Sequence, residues 1–208
     1  MLKKLKQIVF NANLELVKEG LVIPTWGNVS GRDKKTGYIV IKPSGVSYKK
    51  MKADDMVVLD PEGKVIEGKY KPSTDAPTHL LLYKAWNSVE GIVHTHSTYA
   101  TSWAQAGIAI PPLGTTHADH YYGEVPCSRK LTKKEVGSNY EINTGKVILE
   151  TMKRIDPLAV PSVLVNNHGP FCWGTDAEDA VYNAIALEEI ARMAFYTVLL
   201  GKKEPADK

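Results

Sequence analysis

The chain has 208 residues, 43% of them hydrophobic and 24% charged, with a formal net charge of +3. That balance suits one globular domain with a sizeable core, and the charge is too weak to indicate nucleic acid yet suits a small anionic substrate. The two cysteines, Cys127 and Cys172, have no Cys-x-x-Cys spacing, which speaks against a structural disulfide and for a reducing cytoplasm, and no apolar run reaches the length of a membrane span or a signal peptide.

Leu5, Ile8, Val9, Ala12 and Leu16 recur at helical spacing and predict a first helix over residues 2–18, stopped by Gly20. Residues 25–31 (Thr-Trp-Gly-Asn-Val-Ser-Gly) read as a polar, glycine-rich turn. Strands are expected over 38–42, broken by Pro43-Ser44-Gly45, then over 56–60 and, past the turn Asp60-Pro61-Glu62-Gly63, over 64–66. A loop over 71–77 leads into a helix over 77–86, with Leu81, Leu82 and Ala85 on its buried side. A strand carrying His94 and His96 follows, then a helix over 99–106 closed by Gly107. Residues 111–140 are polar and give no clear element. A helix over 144–155 and a strand from Ser162 towards His168 come next. The last helix opens on Thr175-Asp176-Ala177-Glu178, spaced as a capping box, and runs towards Leu200. With no repeat, low-complexity segment or linker, residues 1–208 read as one domain. Its irregular alternation and hairpin turns predict an α/β fold, a sheet with antiparallel pairs covered by helices.

The chemistry is concentrated in His94-Thr95-His96, set behind the apolar Gly91-Ile92-Val93. Side chains two apart on an extended strand share a face, about 6–7 Å apart at the backbone. A His-x-His pair alone is a weak signal. It gains weight from its apolar setting, where unpaired imidazoles are costly, and from His168 beside Gly169 at the end of another apolar run. Asp75 precedes the helix that leads into the histidine strand. Three histidines with a nearby carboxylate form a metal set with an open coordination position, the mark of a catalytic rather than structural zinc. Manganese or cobalt would also be accepted.

Other motifs are weaker. His117 and His120 form a second pair in a polar segment, and His79 reads as a surface or core-packing residue. Thr144-Gly145-Lys146 lacks the glycine and the Ser or Thr that a phosphate loop needs at Tyr140 and Val147, and no Gly-x-Gly-x-x-Gly follows a strand. Three short polar turns, Gly27-Asn28, Ser44-Gly45 and Ser73-Thr74, with Lys42 beside one of them, can converge N–H and O–H donors on an anion.

Five ordered motifs, Thr25-Trp26-Gly27-Asn28-Val29-Ser30, Lys42-Pro43-Ser44-Gly45-Val46, Lys71-Pro72-Ser73-Thr74-Asp75, Gly91-Ile92-Val93-His94-Thr95-His96-Ser97 and Asn167-His168-Gly169-Pro170, resemble the class II aldolase/adducin family. The resemblance runs from the first helix to about Leu200. It implies a three-layer sandwich, with a central, mainly antiparallel sheet between helices, and a homotetramer with active sites between subunits. It places zinc, one per subunit, on His94, His96 and His168, and substrate phosphate on Asn28, Lys42, Ser44, Gly45, Ser73 and Thr74. Aspartate at Asp75 and Asp119, where the fuculose-phosphate aldolases carry glutamate and tyrosine, points to the 4-epimerase branch, whose substrate is a pentulose 5-phosphate of pentose or arabinose catabolism. The chemistry implied is retro-aldol cleavage and re-addition at C3–C4 with zinc as Lewis acid. Asp119 would be one acid/base, acting in a neighbouring subunit's site. Asp75 would ligate the metal or act as an acid/base. In that branch a C-terminal tail carries a tyrosine as the second acid/base. No tyrosine follows Gly201 here, so Tyr121, Tyr122, Tyr140, water or a tail beyond this sequence is left for the role. The non-catalytic adducin branch lacks the metal histidines.

Overall fold

The computed structural model describes residues 2–23 and 25–201. Its elements run α1 (Lys3–Lys18), β1 (Asn28–Arg32), β2 (Ile39–Ile41), a 3-10 turn (Ala53–Asp55), β3 (Val57–Leu59), β4 (Val65–Glu67), α2 (Ala76–Ala85), β5 (Gly91–His94), α3 (Thr98–Ala106), α4 (Thr115–Ala118), α5 (Lys133–Gly137), α6 (Tyr140–Thr151), β6 (Ser162–Val165), β7 (Gly169–Gly174) and α7 (Ala177–Leu199). The seven strands form one sheet in the order β4-β3-β2-β1-β5-β7-β6. Every neighbouring pair in it is antiparallel, as expected.

The two faces differ because alternate residues of a strand point opposite ways. On one face Val29, Gly31, Gly91, Val93 and Gly174 meet α1, α3 and α7. Gly91 is needed there, since a Cβ would lie 2.0 Å from the Asp176 carbonyl oxygen. On the other face Asn28, Ser30, Ile92, His94, Phe171 and Trp173 lie under α2 and α6, where Trp173 packs on Trp86 with ring centroids 4.6 Å apart. The expected sheet between helical layers is therefore present. Among the described residues no helix is long and apolar enough to cross a membrane, and both cysteines are free thiols.

Several details of the sequence reading need correction. Residues 28–31, expected as part of a turn over 25–31, belong to the central strand β1 (Asn28–Arg32). Its Val29 N–H donates to Asn13 Oδ1 at 3.0 Å and its carbonyl accepts from Asn13 Nδ2 at 3.2 Å, so a buried amide of α1 takes the place of a strand neighbour. The helix expected over 144–155 starts instead at Tyr140, after Asn139 in the left-handed region. In α2 the buried residues are Ala76, Thr78, His79, Leu82 and Tyr83; Leu81 is half-buried and Ala85 exposed. The N-cap of α7 is Asp176 rather than Thr175, with Asp176 Oδ1 accepting from the Asp179 N–H at 2.8 Å. The unexpected strand β7 pairs with β6, and the His168 strand ends at Val165, leaving His168 in the hairpin turn.

Candidate active site

One register row across three strands builds the floor of the site: Asn28 of β1 pairs with His94 of β5, which pairs with Phe171 of β7. Phe171 stacks flat on the His94 ring, centroids 4.2 Å apart at 17°. His94 Nδ1–H donates to the Pro170 carbonyl at 2.9 Å, which leaves Nε2 as the bare lone pair. Past the end of β5 the chain brings His96 round so that its Nε2 stands 3.1 Å from that of His94. The β6–β7 turn, with Asn167 at φ 62°, folds His168 over both. The three rings lie 4.7–5.1 Å apart between centroids, and one ligand atom from each falls within 4.8 Å of the others.

That geometry fits a divalent ion. Two imidazole nitrogens on a tetrahedral zinc at about 2.0–2.1 Å stand roughly 3.3 Å apart, close to the separation seen. His168 Nδ1 and Asn28 Oδ1 are buried without a hydrogen-bond partner, a cost that an ion or substrate in the site would relieve. Burial lowers the His96 and His168 pKa to about 4 and about 3, with the neighbouring imidazoles adding to the effect. Both rings are thus neutral near pH 7, the form a metal requires.

Asp75, at the N-cap of α2, accepts a 2.7 Å hydrogen bond from Asn28 Nδ2. Burial pushes its carboxyl upward, but His94, His79, Asn28 and His168 outweigh that and hold it below the usual aspartate value. Asp75 lines the cavity beside the cluster without belonging to the three-histidine group.

Two copies of the same tripeptide pair beside the cavity. Lys42-Pro43-Ser44 and Lys71-Pro72-Ser73 lie antiparallel, with Ser44 N–H donating to the Lys71 carbonyl and Ser73 N–H to the Lys42 carbonyl, both at 2.9 Å. Each proline lacks an N–H, so the flanking serines carry the pairing. Gly45 at φ +70° has nothing within 4 Å of where a Cβ would lie, so an anion can approach its backbone. Lys42 is buried, its Nζ donating to the Thr25 carbonyl at 3.3 Å and lying 4.8 Å from the centre of the Tyr48 ring. Burial lowers its pKa, and Asp75 partly offsets this.

Asn28, Lys42, Ser44, Gly45, Ser73, Thr74, Asp75, His94, His96 and His168 all line a single cavity of about 410 Å³. Of the acid/base candidates expected from sequence, Asp119, Tyr121 and Tyr122 stay out of it. Asp119 is exposed on the turn after α4. Of the three tyrosines, Tyr140 reaches the cavity, its ring 5.6 Å from that of His168. Tyr121 is buried with its hydroxyl 2.8 Å from Ser162 Oγ, and Tyr122 is 77% exposed. The region after Gly201, where a tail would begin, lies outside the described residues. Sequence reasoning missed Trp26, edge-on to His96 at 5.5 Å, and Glu141, which enters the wall only because α6 begins earlier than expected. His79 is fully buried, as a core histidine, with Nδ1 2.7 Å from Ser30 Oγ.

The chain belongs to the family described as Class II Aldolase and Adducin N-terminal domain, which matches residues 7–195. Among relatives, L-ribulose-5-phosphate 4-epimerase UlaF of Salmonella paratyphi B and that of Salmonella typhi are each 59% identical over 194 residues, 93% of this chain and 85% of theirs. A solved L-fuculose 1-phosphate aldolase has a TM-score of 0.85 at 25% identity, over 99% of this chain and 91% of that one. The fold is shared with an L-fuculose-1-phosphate aldolase from Thermus thermophilus, at a TM-score of 0.75 and 23% identity over 98% of this chain and 100% of that one.

Proposed function

We propose that this chain is an L-ribulose-5-phosphate 4-epimerase, interconverting L-ribulose 5-phosphate and D-xylulose 5-phosphate in cytoplasmic pentose catabolism. One observation carries the reading: a three-imidazole cluster and two Lys-Pro-Ser turns share one cavity, which suits a substrate with a phosphate at one end and adjacent oxygens at the other. The 59% identical relatives bear that name, and Asp75 stands where the aldolase branch is expected to carry glutamate.

On this reading each residue has a role. Asn28, Lys42, Ser44, Gly45, Ser73 and Thr74 bind the phosphate through N–H, O–H and ammonium donors. His94, His96 and His168 hold one divalent ion per subunit, zinc in our reading, with manganese or cobalt chemically acceptable. When bound, that ion supplies Lewis-acid stabilisation of the negative charge left as the C3–C4 bond breaks. Asp75, ionised and oriented by Asn28, sits next to that charge as an additional ligand or as a proton acceptor. Asp119 moves the proton of the C4 hydroxyl on one face of the aldehyde, and a second acid/base is needed on the other. Because Asp119 lies outside its own chain's cavity, it serves a neighbouring copy in a homotetramer. The exposed apolar side chains of α7, among them Tyr182, Phe195, Tyr196 and Leu199, support burial against such copies.

The test is a stereochemical assay of purified, metal-loaded protein on L-ribulose 5-phosphate, with native mass measured in parallel. D-xylulose 5-phosphate from a species of four chain masses is expected. Cleavage of L-fuculose 1-phosphate without epimerisation would move the protein to the aldolase branch.

A further inference from the structure

Residues 110–125 form an excursion closed at its base, where Ile110 and Val125 exchange both backbone hydrogen bonds at 3.0 Å. Two buried side chains fix its far end, His117 at 4% and Tyr121 at 2% exposure. Asp119 lies two residues after the first and two before the second, and is exposed between them. Tyr121 is tied to β6 through Ser162. His117 is tied to the turn itself. Its carbonyl accepts from the N–H groups of His120 at 3.1 Å and Tyr121 at 3.0 Å, and its ring Nε2–H donates to the Gly123 carbonyl at 2.7 Å.

The ring makes this one bond at a cost. A neutral imidazole has a single N–H, and the Gly123 carbonyl claims it, so Nδ1 is left as an acceptor. Nδ1 is buried with no partner. Burial also lowers the ring's pKa, partly offset by the Gly123 carbonyl. A Phe would fill the space without an orphaned nitrogen. What histidine adds is the link across residues 117–123, in which Gly123 holds a left-handed φ of +97°.

We infer that His117 is a positioning residue for epimerisation, whose ring bond to the Gly123 carbonyl fixes the turn that presents Asp119. The inference rests on the reading of Asp119 as an acid/base. It makes His117 act through Asp119, with no contact of its own to phosphate or metal.

The experiment is a double-mutant cycle on the full, metal-loaded chain, with metal content and thermal midpoint measured for each variant. His117→Phe is expected to lower kcat for L-ribulose 5-phosphate at least tenfold, with KM and bound metal unchanged. His117→Gln, whose amide can still donate to the Gly123 carbonyl, should recover most of that loss. Added to Asp119→Asn, His117→Phe should cost less than a further twofold. A full multiplicative loss in the double variant, or no recovery with Gln, overturns the inference and leaves Asp119 standing as an acid/base. A normal rate for Asp119→Asn overturns both. Should His117→Phe not fold, His117→Asn, whose amide is too short for that carbonyl, takes its place in the cycle with the same expected losses.

Discussion

Asn28 Nδ2 donates to Asp75 Oδ2 at 2.7 Å and so ties the first residue of the central strand to the N-cap of α2, 47 positions away. Together with the larger effects of His94 and His79, the bond favours the charged form of that buried carboxylate. Asn28→Asp would set two carboxylates at that distance, and like charges so close raise one pKa strongly. The variant is expected to lose at least tenfold in activity and to melt below the parent at pH 8. Its folded-state pKa being raised, the deficit should narrow towards pH 5 as the pair shares a proton. A deficit that is constant or wider at pH 5, by thermal unfolding of parent and variant side by side, would contradict the electrostatic account.

The metal prediction is sharper, because His94 and His96 present their Nε2 atoms to one point. His96→Asn should reduce bound metal to well under one per chain and activity at least a hundredfold, while the sheet, which His96 follows rather than joins, stays folded. Elemental analysis beside the epimerase assay checks both numbers. Full activity in a demonstrably metal-free variant would end the metal assignment.

Acid should weaken the metal-free protein in a defined window. Burial depresses His79 and His168 to about 3 and His96 to about 4, against about 6.5 in an unfolded chain. The unfolded state therefore binds more protons between roughly pH 6.5 and pH 4, and stability is lost as pH falls through that range. Each histidine shifts the folding equilibrium by up to about tenfold per pH unit. Urea midpoints should be nearly flat from pH 8 to pH 7 and fall steeply from pH 6.5 to pH 5. Equal slopes, or a gain in stability at pH 5, would show that these rings are not buried neutral.

Much of this site was legible in the sequence, and the misreadings have a common cause. The three histidines were legible only in combination, as a weak His-x-His pair joined by His168 from a second apolar run, while the turns Ser44-Gly45 and Ser73-Thr74 were weak signals on their own that gained weight from the family resemblance. β1 was not legible as a strand because one apolar residue, Val29, is all it offers. Asn28 and Ser30 point at the site and at the buried His79, while Gly31 makes way for Val9 and Leu5 of α1. Its polarity comes from its function, so hydrophobic periodicity could not find it. The early start of α6 was hidden in the same way, since it turns on Asn139 in the left-handed region. With it went the placing of Tyr140 and Glu141 in the wall. Asp119 is the reverse case. Its chemistry was expected, yet nothing in a single chain brings it to the cavity.

The reaction class can be decided by following one hydrogen. The C4 hydrogen of the substrate is not adjacent to the C2 carbonyl, so no base in the cavity can invert C4 by removing that proton. Breaking and remaking the C3–C4 bond can, and then the residues handle only the proton on the C4 oxygen. Epimerisation in deuterium oxide should therefore give D-xylulose 5-phosphate that retains its original C4 hydrogen, read by proton NMR at C4. Asp119→Asn should slow this conversion about a hundredfold, within the usual range for loss of a general acid/base, and leave bound metal unchanged, since Asp119 lies outside the histidine cluster. Deuterium at C4 accumulating in step with turnover would rule out carbon–carbon cleavage. The cavity would then have to house a base aimed at C4 itself, a role that Asp75, bonded to Asn28, is not placed to fill.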